Sequence, residues 1–72
     1  MFTLEMGVNI QFDYVNWKGE KRHRKVLPKE VLYGSTEYHK EEQWLLRGLD
    51  LDKKEERIFA MKDMSNVKKY EG

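Results

Sequence analysis

From Val8 to Val15 the chain alternates, with Val8, Ile10, Phe12 and Tyr14 on one face and Asn9, Gln11 and Asp13 on the other. Successive side chains of a strand point to opposite sides, so this stretch predicts a half-buried strand with the apolar set facing a core. The stretch Gln43–Leu51 has a different pattern. Trp44, Leu46 and Gly48 share one side, and Leu45, Arg47, Leu49 and Leu51 share the other. Apolar residues on both sides predict a central strand covered on both faces.

The remaining pattern adds three more strands. Asn16-Trp17-Lys18-Gly19 reads as a tight reversal, since Asn and Gly tolerate the backbone angles such turns require. It leads into a second arm, Glu20–Leu27, ended by Pro28, which has no N–H to give to a ladder. Val31-Leu32-Tyr33 continues that arm beyond a kink, and Gly34 closes it. Ser35–Glu42 is polar and of loop length, with Ser35 or Thr36 placed to cap a single helical turn. After a turn at Asp52–Glu55, Glu56–Lys62 forms a fourth strand with Ile58 and Ala60 opposing Phe59 and Met61. Asp63–Asn66 reads as a 3-10 type turn before a brief fifth strand, Val67–Tyr70. The expectation is an all-β chain, one domain over residues 1–72, folded as a small five-stranded Sm/SH3-like barrel with short 3-10 or helical turns.

Composition restricts the picture further. Seventy-two residues, 39% hydrophobic and 38% charged, describe a small soluble domain with a thin core, since a chain of roughly 60 residues buries only about 60% of its unfolded surface. With Cys 0, disulfides and thiolate metal sites are excluded and a cytoplasmic setting is expected. No apolar run approaches the roughly 20 residues of a membrane helix, and no signal segment opens the chain, so no membrane partner is expected.

Net charge +1 conceals an uneven distribution. Lys18–Lys25 carries Lys18, Lys21, Arg22, Arg24 and Lys25 against Glu20 alone, whereas acidic residues gather from Glu37 to Glu56. A basic patch on a near-neutral protein suits an anion or a nucleic-acid backbone. A plainer reading is a charged edge strand that discourages sheet-to-sheet aggregation. Trp17 in the turn, beside these cations, has the character of a stacking platform for a base, while Tyr14, in register with Phe12 and Ile10, reads as core. His23 reads as an exposed spectator, and His39, in the polar loop next to Tyr38, as a surface or loop-packing histidine, with contact to a ligand the alternative.

Catalytic patterns are missing. Ser35 and Ser65 lie in no nucleophile elbow, no cysteine is present, and no glycine-rich phosphate cradle occurs. Asp50-x-Asp52-x-Lys54 opens like a calcium loop, but Glu55 and Met61 stand where Gly and Glu are required, which leaves a charged hairpin turn. The chain is therefore expected to be no enzyme and to need no metal or cofactor.

The series Tyr14, Gly19-Glu20, Arg24-x-Val26-x-Pro28, Trp44-Leu45-Leu46-x-x-x-Asp50 and Arg57-x-Phe59-x-Met61 resembles the WYL domain, over about Val8 to Val67. That family is named for a Trp-Tyr-Leu run on a central strand. The resemblance implies an Sm/SH3-like barrel of the kind found behind a helix-turn-helix in bacterial transcription regulators, where it senses ligands such as nucleic acids or nucleotides. It also implies that Arg24 and Arg57 contact an anion and that Trp44 is a structural or pocket-lining aromatic. Leu45 stands where the family has Tyr, and Asp63, beside Lys62, where it commonly has Arg. Seventy-two residues leave no room for a helix-turn-helix, so a free-standing module is expected.

Two functions follow as expectations. One is a regulatory binding module for nucleic acid or a phosphorylated ligand, acting through Arg22, Arg24, Lys25 and Arg57 with Trp17 and Trp44 as aromatic partners. The alternative is a module for protein interaction or self-association, as a homodimer or with another protein, favoured by the thin core.

Overall fold

A computed structural model describes residues 5–38 and 40–71. The strands are β1 (Ile10–Val15), β2 (Lys21–Gly34), β3 (Gln43–Asp50), β4 (Glu55–Ala60) and β5 (Met64–Lys69), with one 3-10 turn at Met61–Asp63. They form a single five-stranded antiparallel sheet in the order β4-β3-β2-β1-β5. An all-β chain is what the alternation predicted.

Several boundaries and one position differ from the sequence reading: β1 begins at Ile10, β4 ends at Ala60 rather than Lys62, and β5 begins at Met64 rather than Val67. The second arm continues beyond Pro28 and closes at Gly34 as the pattern suggested, but without ending at Pro28: β2 is one strand of 14 residues running through it. N–H and C=O of one strand residue point the same way, and Pro28 turns its carbonyl to Gly7 N, 3.2 Å away. Its missing N–H therefore faces the lead segment, and the ladder with β3 loses nothing. A bulge between Pro28 and Glu30 absorbs the irregularity. The middle strand is accordingly β2, while Gln43–Asp50 lies second from the β4 edge. The basic run thus belongs to no edge strand, although over Lys21–Lys25 its ladder runs to β1 and the pairing with β3 begins at Val26. Ser35–Glu42 contains no helical turn among its described residues, and the 3-10 turn comes two residues earlier than expected.

The sheet folds over on itself. Ile10, Phe12 and Tyr14 of β1 meet Val26, Leu46 and Phe59 in one cluster, with Met61, Met64 and Val67 packed against it. β1 and β4 are not neighbours in the sheet, yet the Phe12 and Phe59 rings meet edge to face at 5.2 Å and those of Tyr14 and Phe59 at 5.0 Å. Ala60 N–H donates to the Tyr14 hydroxyl at 2.9 Å across the same gap. On β3, Leu45 and Leu46 are both fully buried, as apolar residues on both sides required. Gly48 is where β3 comes closest to β2: a Cβ there would stand 2.5 Å from Val26 Cγ1 and 2.8 Å from the Leu27 carbonyl oxygen.

Candidate functional site

Two loops and three strands enclose a cleft of about 470 Å³. Its floor is Tyr14 and Arg24, one wall is Arg57–Phe59 of β4, and the opposite wall is built by Trp17 and Tyr38. The β1–β2 loop is fixed by Asn16, whose side-chain oxygen accepts from Lys18 N and Glu20 N, each at 2.9 Å. Gly19 supplies the left-handed angle that closes the reversal, with φ +83°. Trp17 is held out at the tip, 58% exposed. On the facing loop, Tyr38 N–H donates to Thr36 Oγ1 at 3.2 Å, and the Tyr38 ring stacks on Trp17 with centroids 5.5 Å apart.

Beneath this aromatic wall lies an ion cluster. Asp50, at the end of β3, is 1% exposed. Its Oδ2 accepts from Arg24 Nη1 at 3.5 Å and lies 3.4 Å from Arg57 Nε. Its Oδ1 accepts from the backbone N–H groups of Asp52 and Lys53 at 3.0 and 3.1 Å, and so it also caps the β3–β4 turn. A buried carboxylate needs this many donors, because an unpaired one would carry a large desolvation cost. Arg57 has a second carboxylate, Glu55, at 2.6 Å. The Nε atoms of Arg24 and Arg57 are nevertheless buried without a hydrogen-bond acceptor: Arg57 Nε is within ion-pair distance of Asp50 but outside hydrogen-bond geometry. Glu56, on the cleft rim, is drawn outward by Lys29 at 3.0 Å and Arg47 at 2.7 Å. Those hydrogen bonds, Lys29 first, hold its carboxyl below the usual glutamate range, and the Glu56 contact raises Arg47 in turn. Burial pushes the Tyr14 hydroxyl above its ordinary value.

Of the residues expected to bind, Trp17, Arg24 and Arg57 converge on this cleft. Three others do not line it. Arg22 shares the face of Tyr14 and Arg24, being paired with Tyr14 in register, but is exposed nearer the hairpin loop. Lys25 projects to the opposite side of the sheet, its ammonium 5.2 Å from the centroid of Tyr70. Trp44 pairs across β2–β3 with Tyr33, ring to ring at 5.2 Å, and stands 59% exposed on the far part of that ribbon. His23 is exposed as expected and is held by neighbours: Nδ1 lies 3.0 Å from Asp13 Oδ1 and Nε2 3.0 Å from Gln11 Oε1. His39 lies outside the described residues.

Asp50 and Tyr38 were not among the expected site residues. Asp50 follows Leu46 and Gly48 at the same period of two, which is the signal that it faces inward. Tyr38 carries no such signal, because its position depends on how two distant loops meet. No family model matches the chain, and no curated protein matches it.

Proposed function

We propose that the protein is a regulatory binding module that takes a nucleic acid or a phosphorylated ligand in the cleft between its β1–β2 and β2–β3 loops. The observation that carries this reading is the meeting of Trp17, Arg24 and Arg57 around one cavity. A planar base stacks against the Trp17–Tyr38 wall, and a phosphate oxygen accepts from the guanidinium edges of Arg24 and Arg57 that line the cleft. The strand order, with a 3-10 turn joining β4 to β5, supports reading the folded-over sheet as an Sm/SH3-like barrel. Support for a WYL-like module comes from the motif itself: Arg24, Asp50 and Arg57, spread over the length of the chain, form one ion cluster over the Tyr14–Phe59 contact.

Trp17 and Trp44 lie in different surroundings, which makes the test clean. In a Trp44→Phe background, the Trp17 emission should be quenched by adenosine monophosphate or by a short single-stranded oligonucleotide. Arg57→Ala should weaken that response more than Lys54→Ala. Emission that stays constant to millimolar ligand contradicts the proposal.

One observation favours a second reading. Val31, Tyr33 and Trp44 project from the same side of the β2–β3 ribbon and are all exposed, and such apolar surface suits a protein partner or a second copy. Size-exclusion chromatography of the wild type and Trp44→Ser at two concentrations tests it; identical monomer elution in every run removes self-association.

A further inference from the structure

The cations outside the cleft have a surface of their own. Residues directly opposed across a ladder project to the same side. In the β1–β2 register Gln11 faces Lys25, Asp13 faces His23 and Val15 faces Lys21; in the β1–β5 register Gln11 faces Lys68. Lys21, Lys25 and Lys68 therefore stand on the side of the sheet turned away from Phe12 and Tyr14. Among the described residues, none of the three has a carboxylate within ion-pair distance. The carboxylate on this side, Asp13, is occupied, with His23 Nδ1 at 3.0 Å and Asn66 Nδ2 at 2.9 Å. Lys25 is steadied by the Tyr70 ring without losing its charge.

We propose that this side of β2-β1-β5 is a docking surface for a nucleic-acid backbone, contacted by the ammonium groups of Lys21, Lys25 and Lys68. The arrangement fits the partner in spacing and in kind. Strand geometry separates Lys21 from Lys25 by about 13 Å, and the two inter-strand steps separate Lys25 from Lys68 by about 10 Å, a field over which one strand of nucleic acid presents some three or four phosphates. An anionic membrane is the other large polyanion, but membrane docking on a basic surface draws on exposed aromatic or long apolar chains. Among the described residues this side offers Val15 and the partly covered Leu27 and Tyr70, whereas Tyr33 and Trp44 belong to the ribbon elsewhere. The surface is distinct from the cleft and does not depend on it: in the cleft each arginine is tied to a buried carboxylate, and here the lysines have none.

Anisotropy of a labelled 20-nucleotide single strand and of a 20-base-pair duplex, at 50 and 200 mM salt, tests the proposal with three proteins: wild type, the triple variant Lys21→Gln/Lys25→Gln/Lys68→Gln, and Trp17→Ala. Lys21 and Lys68 are exposed and Lys25 is half-buried, and circular dichroism checks that the triple variant is folded. The wild type should bind, with affinity falling steeply as salt rises. The triple variant should lose about tenfold or more at the lower salt, and its log–log salt slope should flatten by about 2, since each phosphate contact contributes roughly 0.7 to 0.9. Trp17→Ala removes only the stacking contribution of the cleft to single-strand binding and should keep the salt slope of the wild type. A triple variant that binds like the wild type overturns the proposal, and if Trp17→Ala alone is impaired, the binding belongs to the cleft. Wild-type protein that ignores both oligonucleotides but sediments with phosphatidylserine vesicles also overturns it, in favour of a membrane surface.

Discussion

Arg24 and Lys25 are neighbours in one basic run, yet the fold gives them opposite circumstances. Arg24 turns inward, its side chain 14% exposed, and shares with Arg57 the carboxylate of Asp50. Lys25 turns outward onto a face of lysines without carboxylate partners, and the strand period of two accounts for the whole difference. Local density of positive charge is therefore a poor guide to what can meet a phosphate. Inside the cleft, charge holds three strands and a turn together, and what it can offer a ligand is limited to the donors that Asp50 leaves unsatisfied. On the outer face, the lysines contribute little to the fold and are open to a partner.

The contrast is broken most severely at Asp50. Asp50→Ala leaves two guanidinium groups without their shared carboxylate and two turn N–H groups without an acceptor. Loss of one partner from a buried pair costs about 3–5 kcal/mol, so urea unfolding should show a loss of that order. A loss under about 1 kcal/mol would mean that the cluster is not structural. Tyr14→Phe is gentler. It removes the acceptor of the buried Ala60 N–H, and the same measurement should give a loss of about 1–3 kcal/mol.

Acid titration probes one carboxylate of the outer face and one of the cleft rim. The His23 hydrogen bond, then that of Asn66, holds Asp13 below its ordinary value, and Glu56 is lowered by Lys29 and Arg47. For a carboxylate with a lowered folded value, the linked stability is present above the unfolded value, about 4, and is lost as pH falls through the folded one. The thermal midpoint should therefore drop as pH goes from 5 to 2.5, and Asp13→Asn should make that drop shallower. An unchanged profile in the variant would remove Asp13 from the account.

The alternation of Ile10, Phe12 and Tyr14 was enough to place the core face of β1, and the two-sided apolar pattern of β3 was enough to bury Leu45 and Leu46. Pro28 misled because its cost depends on which way its nitrogen faces, a property of the ladder and not of the residue. Reading Lys18–Lys25 as one patch failed to separate the faces, although the period needed to do so was already evident in β1. Trp44 belonged to an apolar run and still emerged exposed, since the β2–β3 ribbon continues beyond the ladders with β1 and β4. The Trp17–Tyr38 stack joins two loops whose meeting is set by the bend of the whole sheet, so nothing local announces it.

The most direct measurement compares Arg24→Gln with Lys25→Gln by urea unfolding under identical conditions. Arg24→Gln should cost about 2–3 kcal/mol, because Asp50 loses a charged hydrogen-bond partner in a buried site, while Lys25→Gln should stay within about 0.5–1 kcal/mol, the scale of an exposed cation over a ring. Equal losses for the two, or a larger one for Lys25→Gln, would contradict the division of the basic run into a structural face and an available one.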